Sequence, residues 1–241
     1  MPTAPASPSE QTSPRGAAVW AALDPVVSAG APLRVLDVGG GSGIFAVPLA
    51  RAGHQVTVVD PSADALATLA RRAATAGVGG AVRGVQGDGD LLHEVLGGEA
   101  GDGGYDLALC HSVLEVVDDP AVTLREIARA VRPGGQVSVA TANRAGAVLA
   151  RAAAGHPVEA LALLEGRDTA RRRFAPDDLL ALVEGAGLTP GPWRGVGVVA
   201  DLLDAASGAD PDAVRALELA LAGVSPYRDV ATGLHVLATR P

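Results

Sequence analysis

The sequence predicts an α/β fold: a mostly parallel sheet of seven strands, helices on both faces, and an inserted helical region toward the carboxyl end. Two observations carry this. Short apolar runs suited to buried strands alternate with helix-forming segments five times between residues 33 and 141. The connections between them are short, as crossovers in a helix-covered parallel sheet require.

The elements follow in order. Residues 15–29 read as a helix interrupted by Pro25. LRVLDV (33–38) is a buried strand ending in glycines, and 44–52 a helix with Pro48 early in it. QVTVVD (55–60) is the second strand, and Ser62 caps a helix over 63–76. AVRGVQ (81–86), YDLALC (105–110) and QVSVAT (136–141) are the next three strands. Between them lie a short helix at 90–97 and a longer one at 121–131, the latter stopped by Pro133-Gly134-Gly135. Beyond 142 the pattern loosens: helical stretches at 144–165, 176–186 and near 211–222, then a last strand, LHVLAT (234–239).

The domain reading is a disordered leader over 1–14, rich in Pro, Ser, Thr and Ala, and one domain over 15–241. That domain divides into a ligand-binding core (15–141), a helical substrate region with strand six (142–232) and the final strand (233–241). A single cysteine, Cys110, excludes an intrachain disulfide framework and a thiolate metal cluster, and buried packing is its expected role. Residues 1–14 lack the basic start and apolar run of a signal peptide, and no uncharged apolar run is long enough to span a bilayer. A cytoplasmic protein without a membrane partner is expected. The net charge of −8 argues against nonspecific nucleic-acid binding.

In open sheets of this kind ligands bind at the carboxyl ends of the strands. The first strand runs into Asp37-Val38-Gly39-Gly40-Gly41-Ser42-Gly43, whose glycines let backbone approach a ligand closely, ahead of the free N–H groups of a helix start. Asp60 ends the second strand, where a carboxylate can accept both ribose hydroxyls. An adenosine-bearing cofactor suits the pair. Residues 41–46 also fit the loose G-x-G-x-x-A form, so a nicotinamide or flavin oxidoreductase is a rival on these residues alone. No G-K-[ST] follows, which excludes Walker-type phosphate binding.

The run V-L-D-V-G-G-G-S-G, Asp60, Gly87-Asp88, residues 105–120 and residues 124–141 together resemble the five motifs of Rossmann-like class I S-adenosylmethionine (SAM)-dependent methyltransferases, over about 33–141. A closer resemblance is to the tRNA 5-carboxymethoxyuridine methyltransferases. It is carried by Gly53-His54-Gln55-Val56, His111 to Pro120, Arg132-Pro133-Gly134-Gly135, Gly195 to Val199, Asp201-Leu202-Leu203, Ala216-Leu217-Glu218-Leu219, Ser225-Pro226-Tyr227 and His235-Val236. The resemblance implies methyl-ester formation on the carboxylate of a tRNA wobble uridine. SAM would be the cofactor, S-adenosylhomocysteine (SAH) its product, no metal would take part, and the anticodon loop would be the partner. It implies cofactor contacts from Arg15, Gly39, Gly40, Asp60 and His111, and third-motif contacts near Gly89 and Asp90; Asp88 is an equal candidate there by the logic of the fold, and Asp37, Gly41 and Gly43 of the glycine-rich turn are candidates beside them. The chain departs from that family at Thr232-Gly233 and at Arg171-Arg172-Arg173.

A carboxylate acceptor is already ionised at neutral pH and needs no general base, and no residue is assigned as one. It needs a clamp; Asn143, Arg144, Arg173, Tyr227 and Arg228 are the candidates. Residues 143–175 carry six arginines against Glu159, Glu165 and Asp168, a local positive excess in an acidic chain. Phe174, Trp193 and Tyr227 offer rings on which an unpaired base could stack. The alternatives are a small-molecule methyltransferase acting on a hydroxyl or carboxylate and, further off, an NAD(P)-dependent oxidoreductase or a silent SAM-binding module.

Overall fold

The computed structural model describes residues 13–97, 104–167, 171–203 and 207–241. The leader expected over 1–14 lies outside them except for Ser13 and Pro14, and Pro14–Gly16 forms a 3-10 turn. Asp168 also lies outside.

The elements are α1 (Ala17–Val27), β1 (Arg34–Val38), α2 (Ala46–Arg51), β2 (Gln55–Asp60), α3 (Ala63–Thr75), β3 (Val82–Gln86), α4 (Leu92–Leu96), β4 (Tyr105–His111), α5 (Pro120–Ala130), β5 (Val131–Ala142), α6 (Arg144–Ala153), α7 (Pro157–Leu164), α8 (Pro176–Gly185), β6 (Thr189–Pro190), β7 (Arg194–Val196), α9 (Pro211–Leu221) and β8 (Gly233–Thr239). The sheet order is β3-β2-β1-β4-β5-β8-β6, with β7 also on β8. The first five strands pair in parallel. β8 runs antiparallel to β5, and the short β6 and β7 both lie antiparallel on its far edge. Eight strands thus fill the seven positions expected, because two short segments share one edge.

Alternating residues send the sheet's apolar side chains to both faces, as the strand period of two requires. Leu36, Val38, Ala108 and Cys110 join a core with α5 and α8, whereas Val35, Leu107 and Leu109 join one with α1, α2 and α3.

Several local expectations change. Pro25 does not interrupt α1: it sits in the last turn, where only one hydrogen bond is forfeited. The helix expected from residue 44 starts at Ala46, because Gly39–Phe45 forms a turn first. Pro133-Gly134-Gly135 lies inside β5 as an irregularity. A Cβ on Gly135 would stand 2.9 Å from the carbonyl oxygens of Arg132 and Asp106, so only glycine fits that bend. The stretch 144–165 is two helices, broken at Gly155 (φ +86°), with Pro157 opening the second.

Candidate active site

The carboxyl ends of β1, β2 and β4 and the segment after β3 surround two cavities that meet at Gly39 and Ser112. The first, about 580 Å³, is lined by Asp60, Asp88, Gly89 and Asp90 on one side and by Val113, Val116 and Val117 on the other. The second, about 380 Å³, takes Arg15, Asp37, Gly40 and His111 together with an apolar wall of Val19, Trp20, Ile44, Phe45 and Val196.

Asp60 is the joint between loop and strand. Its Oδ2 accepts the Gly41 N–H at 2.9 Å and its Oδ1 the Ser62 N–H at 2.9 Å. Its carboxylate is thereby aimed, with lone pairs left over on each oxygen for hydroxyl donors. The glycine loop is tied in elsewhere as well: the Gly39 N–H donates to Val59 O and the Gly43 N–H to Gly40 O. The N–H groups of Gly39, Gly41 and Gly43 are thus committed to Val59, Asp60 and Gly40. The loop's service is close approach instead. A Cβ on Gly39 would fall 2.4 Å from Val113 Cγ2, and one on Gly40 2.4 Å from Asp37 Oδ2. Gly41 and Gly43 line neither cavity; they hold left-handed conformations (φ +53° and +82°) that shape the turn.

Asp37 is 2% exposed, and its Oδ2 has no hydrogen-bond partner. Burial, aided by the nearby Asp60 charge, raises its carboxyl to about 7. A buried, unpaired acid beside a cavity is a waiting partner for a cation. Of the third-motif candidates, Asp90 accepts a hydrogen bond from the Thr123 hydroxyl. Asp88 engages no other side chain among the described residues, which leaves it the freer to meet a ligand.

His111 ends β4. Its Nε2 lies 2.8 Å from Ser138 Oγ, which lies 2.9 Å from His235 Nε2. Its Nδ1 is buried and unpartnered. Its ring meets Phe45 edge-on at 4.5 Å, and Phe45 stacks on Trp20 at 5.0 Å. Burial lowers both histidines to about 3, His235 further through His111 and Arg194, so both rings are neutral at working pH. Cys110 is fully buried and burial raises its thiol far above the usual range, in keeping with packing.

The five clamp candidates do not converge on either cavity. Asn143 is fully buried: its amide nitrogen donates to Asp229 O and Ala231 O, and its oxygen caps α6 at Ala145 N–H. Arg144 pairs with Asp178 at 3.1 Å, and Arg144 and Arg173 line a separate groove of about 490 Å³. Arg228 lies over the Trp193 ring at 4.2 Å, and Tyr227 is exposed. Asn143 and Arg228 are thus occupied in holding the fold, because the segment after β5 must be anchored to the 228–232 turn.

Ser112, which lines both cavities, was not among the sequence candidates. It is the one described non-glycine residue with positive φ (+59°), a strained conformation of the kind that collects at functional sites. Trp20, Phe45, Ser138 and His235 were also missed, since aromatics and a serine inside apolar runs read as core. No group of three or more metal-ligating side chains forms among the described residues. No helix there is long and apolar enough to cross a membrane.

The model of the methyltransferase domain matches residues 15–190. The ubiquinone biosynthesis O-methyltransferase of Caulobacter sp. (strain K31) is 36% identical over 153 residues, 64% of this chain and 58% of its own length. Its counterpart from Xanthomonas axonopodis pv. citri is 34% identical over 155 residues, 64% of this chain and 62% of its own. The chain thus spans about three-fifths of the length of these relatives. A SAM-dependent methyltransferase from Mesorhizobium loti has the same fold, with a TM-score of 0.63 at 22% identity, covering 94% of this chain and all of that one. None of these bears the name of a tRNA-modifying enzyme. With the glycine turn, the aimed Asp60 and this sheet order, the match places the chain in the family of class I SAM-dependent methyltransferases.

Proposed function

We propose that this protein methylates the hydroxyl group of a small, largely apolar acceptor, with SAM as methyl donor. The observation that carries this is the make-up of the second cavity. It combines a wall of Trp20, Phe45, Val19 and Val196 with the neutral His111, and none of the arginines of the 144–173 groove reaches it. The relatives named ubiquinone biosynthesis O-methyltransferases favour the same chemistry.

The residues suit the donor. The first cavity would take adenosine: Asp60 receives the ribose hydroxyls, Asp88 the adenine amino group, with Gly89 and Asp90 backbone alongside, and Val113, Val116 and Val117 cover the ring. Gly39 and Gly40, having no Cβ, let Val113 and Asp37 close in on the turn at the edge of the cavities. The second cavity would take the methionyl end at one side, with Asp37 meeting the ammonium and Arg15 the carboxylate, and leave the apolar wall and His111 to the acceptor. When bound, SAM supplies a methyl group on a positively charged sulfur. The chain's contribution is then positioning and water exclusion, which supply most of the acceleration in such a displacement. His111, held neutral, orients an acceptor hydroxyl through its unpartnered Nδ1 and takes up the proton that the hydroxyl gives up on methylation, which a ring already protonated could not do.

The second reading, methyl-ester formation on a tRNA wobble-uridine carboxylate, rests on the family resemblance and on the arginine-lined groove of 144, 171, 172 and 173. It asks for a cation at the acceptor, and among the described residues Arg15 is the only arginine or lysine lining the second cavity. Incubation with labelled SAM against phenols, catechols, aliphatic alcohols, carboxylic acids and bulk tRNA separates the two. Label in a methyl ether supports the proposal. Label confined to carboxylic acids or to tRNA overturns it.

A further inference from the structure

Arg15 stands at the rim of the second cavity, yet its guanidinium is not loose. Its Nε–H donates to both oxygens of Asp201, each at 2.9 Å, across 186 residues of sequence. The side chains are 51% and 25% exposed, and a pair so exposed adds little to stability by itself. What surrounds Asp201 is unlike an ordinary surface pair. The Thr232 hydroxyl donates to its Oδ2. Gly197, at φ +70°, clears space for it: a Cβ there would lie 2.5 Å from Asp201 Oδ2 and 2.8 Å from Thr232 Oγ1. The loop leading to Asp201 is pinned from beneath by Glu218, which is fully buried. Its carboxylate accepts the N–H groups of Val198, Val199 and Ala200 at 3.1, 2.7 and 2.6 Å. A buried carboxylate taking three backbone donors is a rigid anchor.

We infer that Asp201 is a positioning residue for the cofactor. It holds Arg15 by Nε alone and leaves the two terminal nitrogens of the guanidinium to grip the methionyl carboxylate of SAM. The inference rests on the reading of the second cavity as the methionyl end. Asp201 does not line that cavity itself. It acts by setting the direction of a planar, five-donor group whose long stem is otherwise free, so that ordering need not occur on binding. Glu218 and the 197–200 loop make the support stiff, and so the carboxyl-terminal region braces a site lined mostly by residues 13–140.

The test is calorimetry of the full chain with two ligands. SAH carries the amino-acid arm; 5′-methylthioadenosine keeps the adenosine and the thioether and lacks that arm. Asp201→Ala should weaken SAH binding roughly tenfold, within the range of measured coupling between contacting residues, and leave methylthioadenosine within about twofold. Asp201→Glu, which keeps the charge, should restore part of the loss. Arg15→Ala should weaken SAH alone, and adding Asp201→Ala to it should change nothing further. Asp201→Asn serves with the same expectation and a smaller loss where the alanine variant fails to fold. Equal weakening of both ligands, no weakening, or losses that add with Arg15→Ala overturn the inference. If Arg15→Ala itself leaves both ligands unaffected, the assignment of the second cavity as the methionyl end fails, and the inference with it. If Arg15→Ala discriminates and Asp201→Ala does not, only the role of Asp201 falls.

Discussion

Asp37 is where a single group ties stability to ligand binding. Below pH about 4 its carboxyl is neutral in the folded and unfolded chain alike and adds no pH dependence. Between about 4 and about 7 the unfolded chain gives up the proton while the folded chain keeps it. The ligand-free protein therefore loses stability as pH rises across that window, by up to about 1.4 kcal/mol per unit, and loses no more above it. A bound ammonium reverses the sense, because it favours the ionised acid. SAM affinity should fall as pH drops below about 7, at most about tenfold per unit. Asp37→Asn should flatten both trends: thermal melts from pH 4 to 8 without ligand, and calorimetry over the same range with it, read this directly. Gly40→Ala offers a steric check at the neighbouring position. Its methyl would overlap the Asp37 carboxylate, so SAH affinity should fall at least tenfold while the far-UV circular dichroism stays unchanged.

The elements divide into those legible in the sequence and those decided by contacts made elsewhere. β2 was legible residue for residue, because it lies between two turns and is apolar in its central register. The Ser62 cap was legible because its partner, the Ala65 N–H, is three residues away. β5 was legible from Gln136 to Thr141 but not before it: Pro133 to Gly135 reads as a helix stop, yet the segment from Val131 is drawn into the sheet by Tyr105 and by Arg240, whose N–H donates to Gly135 O and whose carbonyl accepts the Gly134 N–H. The edge strands β6 and β7 are too short to show a period. α5 sets the rigidity of the cleft, since it packs Leu124 and Ile127, both fully buried, behind β4. Ile127→Ala should cost about 2–5 kcal/mol in urea unfolding. Because Ile127 lines neither cavity, SAH affinity of the folded protein should stay within about twofold.

At the scale of the molecule, the ends of the parallel strands make the cleft, as open sheets of this topology do. The residues of the proposed donor half were legible as candidates because Gly39, Gly40, Asp60 and Asp88 lie at or just past the ends of three consecutive strands. The contacts around His111 were not legible, although His111 itself was a candidate: Ser138 and His235 join it from two other strands, and on the donor side the Arg15–Asp201 pair joins positions that only the finished fold brings together. The clamp expected from Asn143, Arg144, Arg173, Tyr227 and Arg228 failed to assemble at the cavity for the same reason: proximity to a strand end does not say where a lid segment turns. On the proposed reading, the two cavities joined at Gly39 and Ser112 are one binding cleft for the two ends of SAM. Calorimetric titration of the unmodified protein with SAM, SAH and NAD(P) tests that most directly. One saturable site for SAM and for SAH, with no heat from NAD(P), is the predicted result; a folded protein that binds neither sulfur ligand, or that binds NAD(P) in their place, would contradict it.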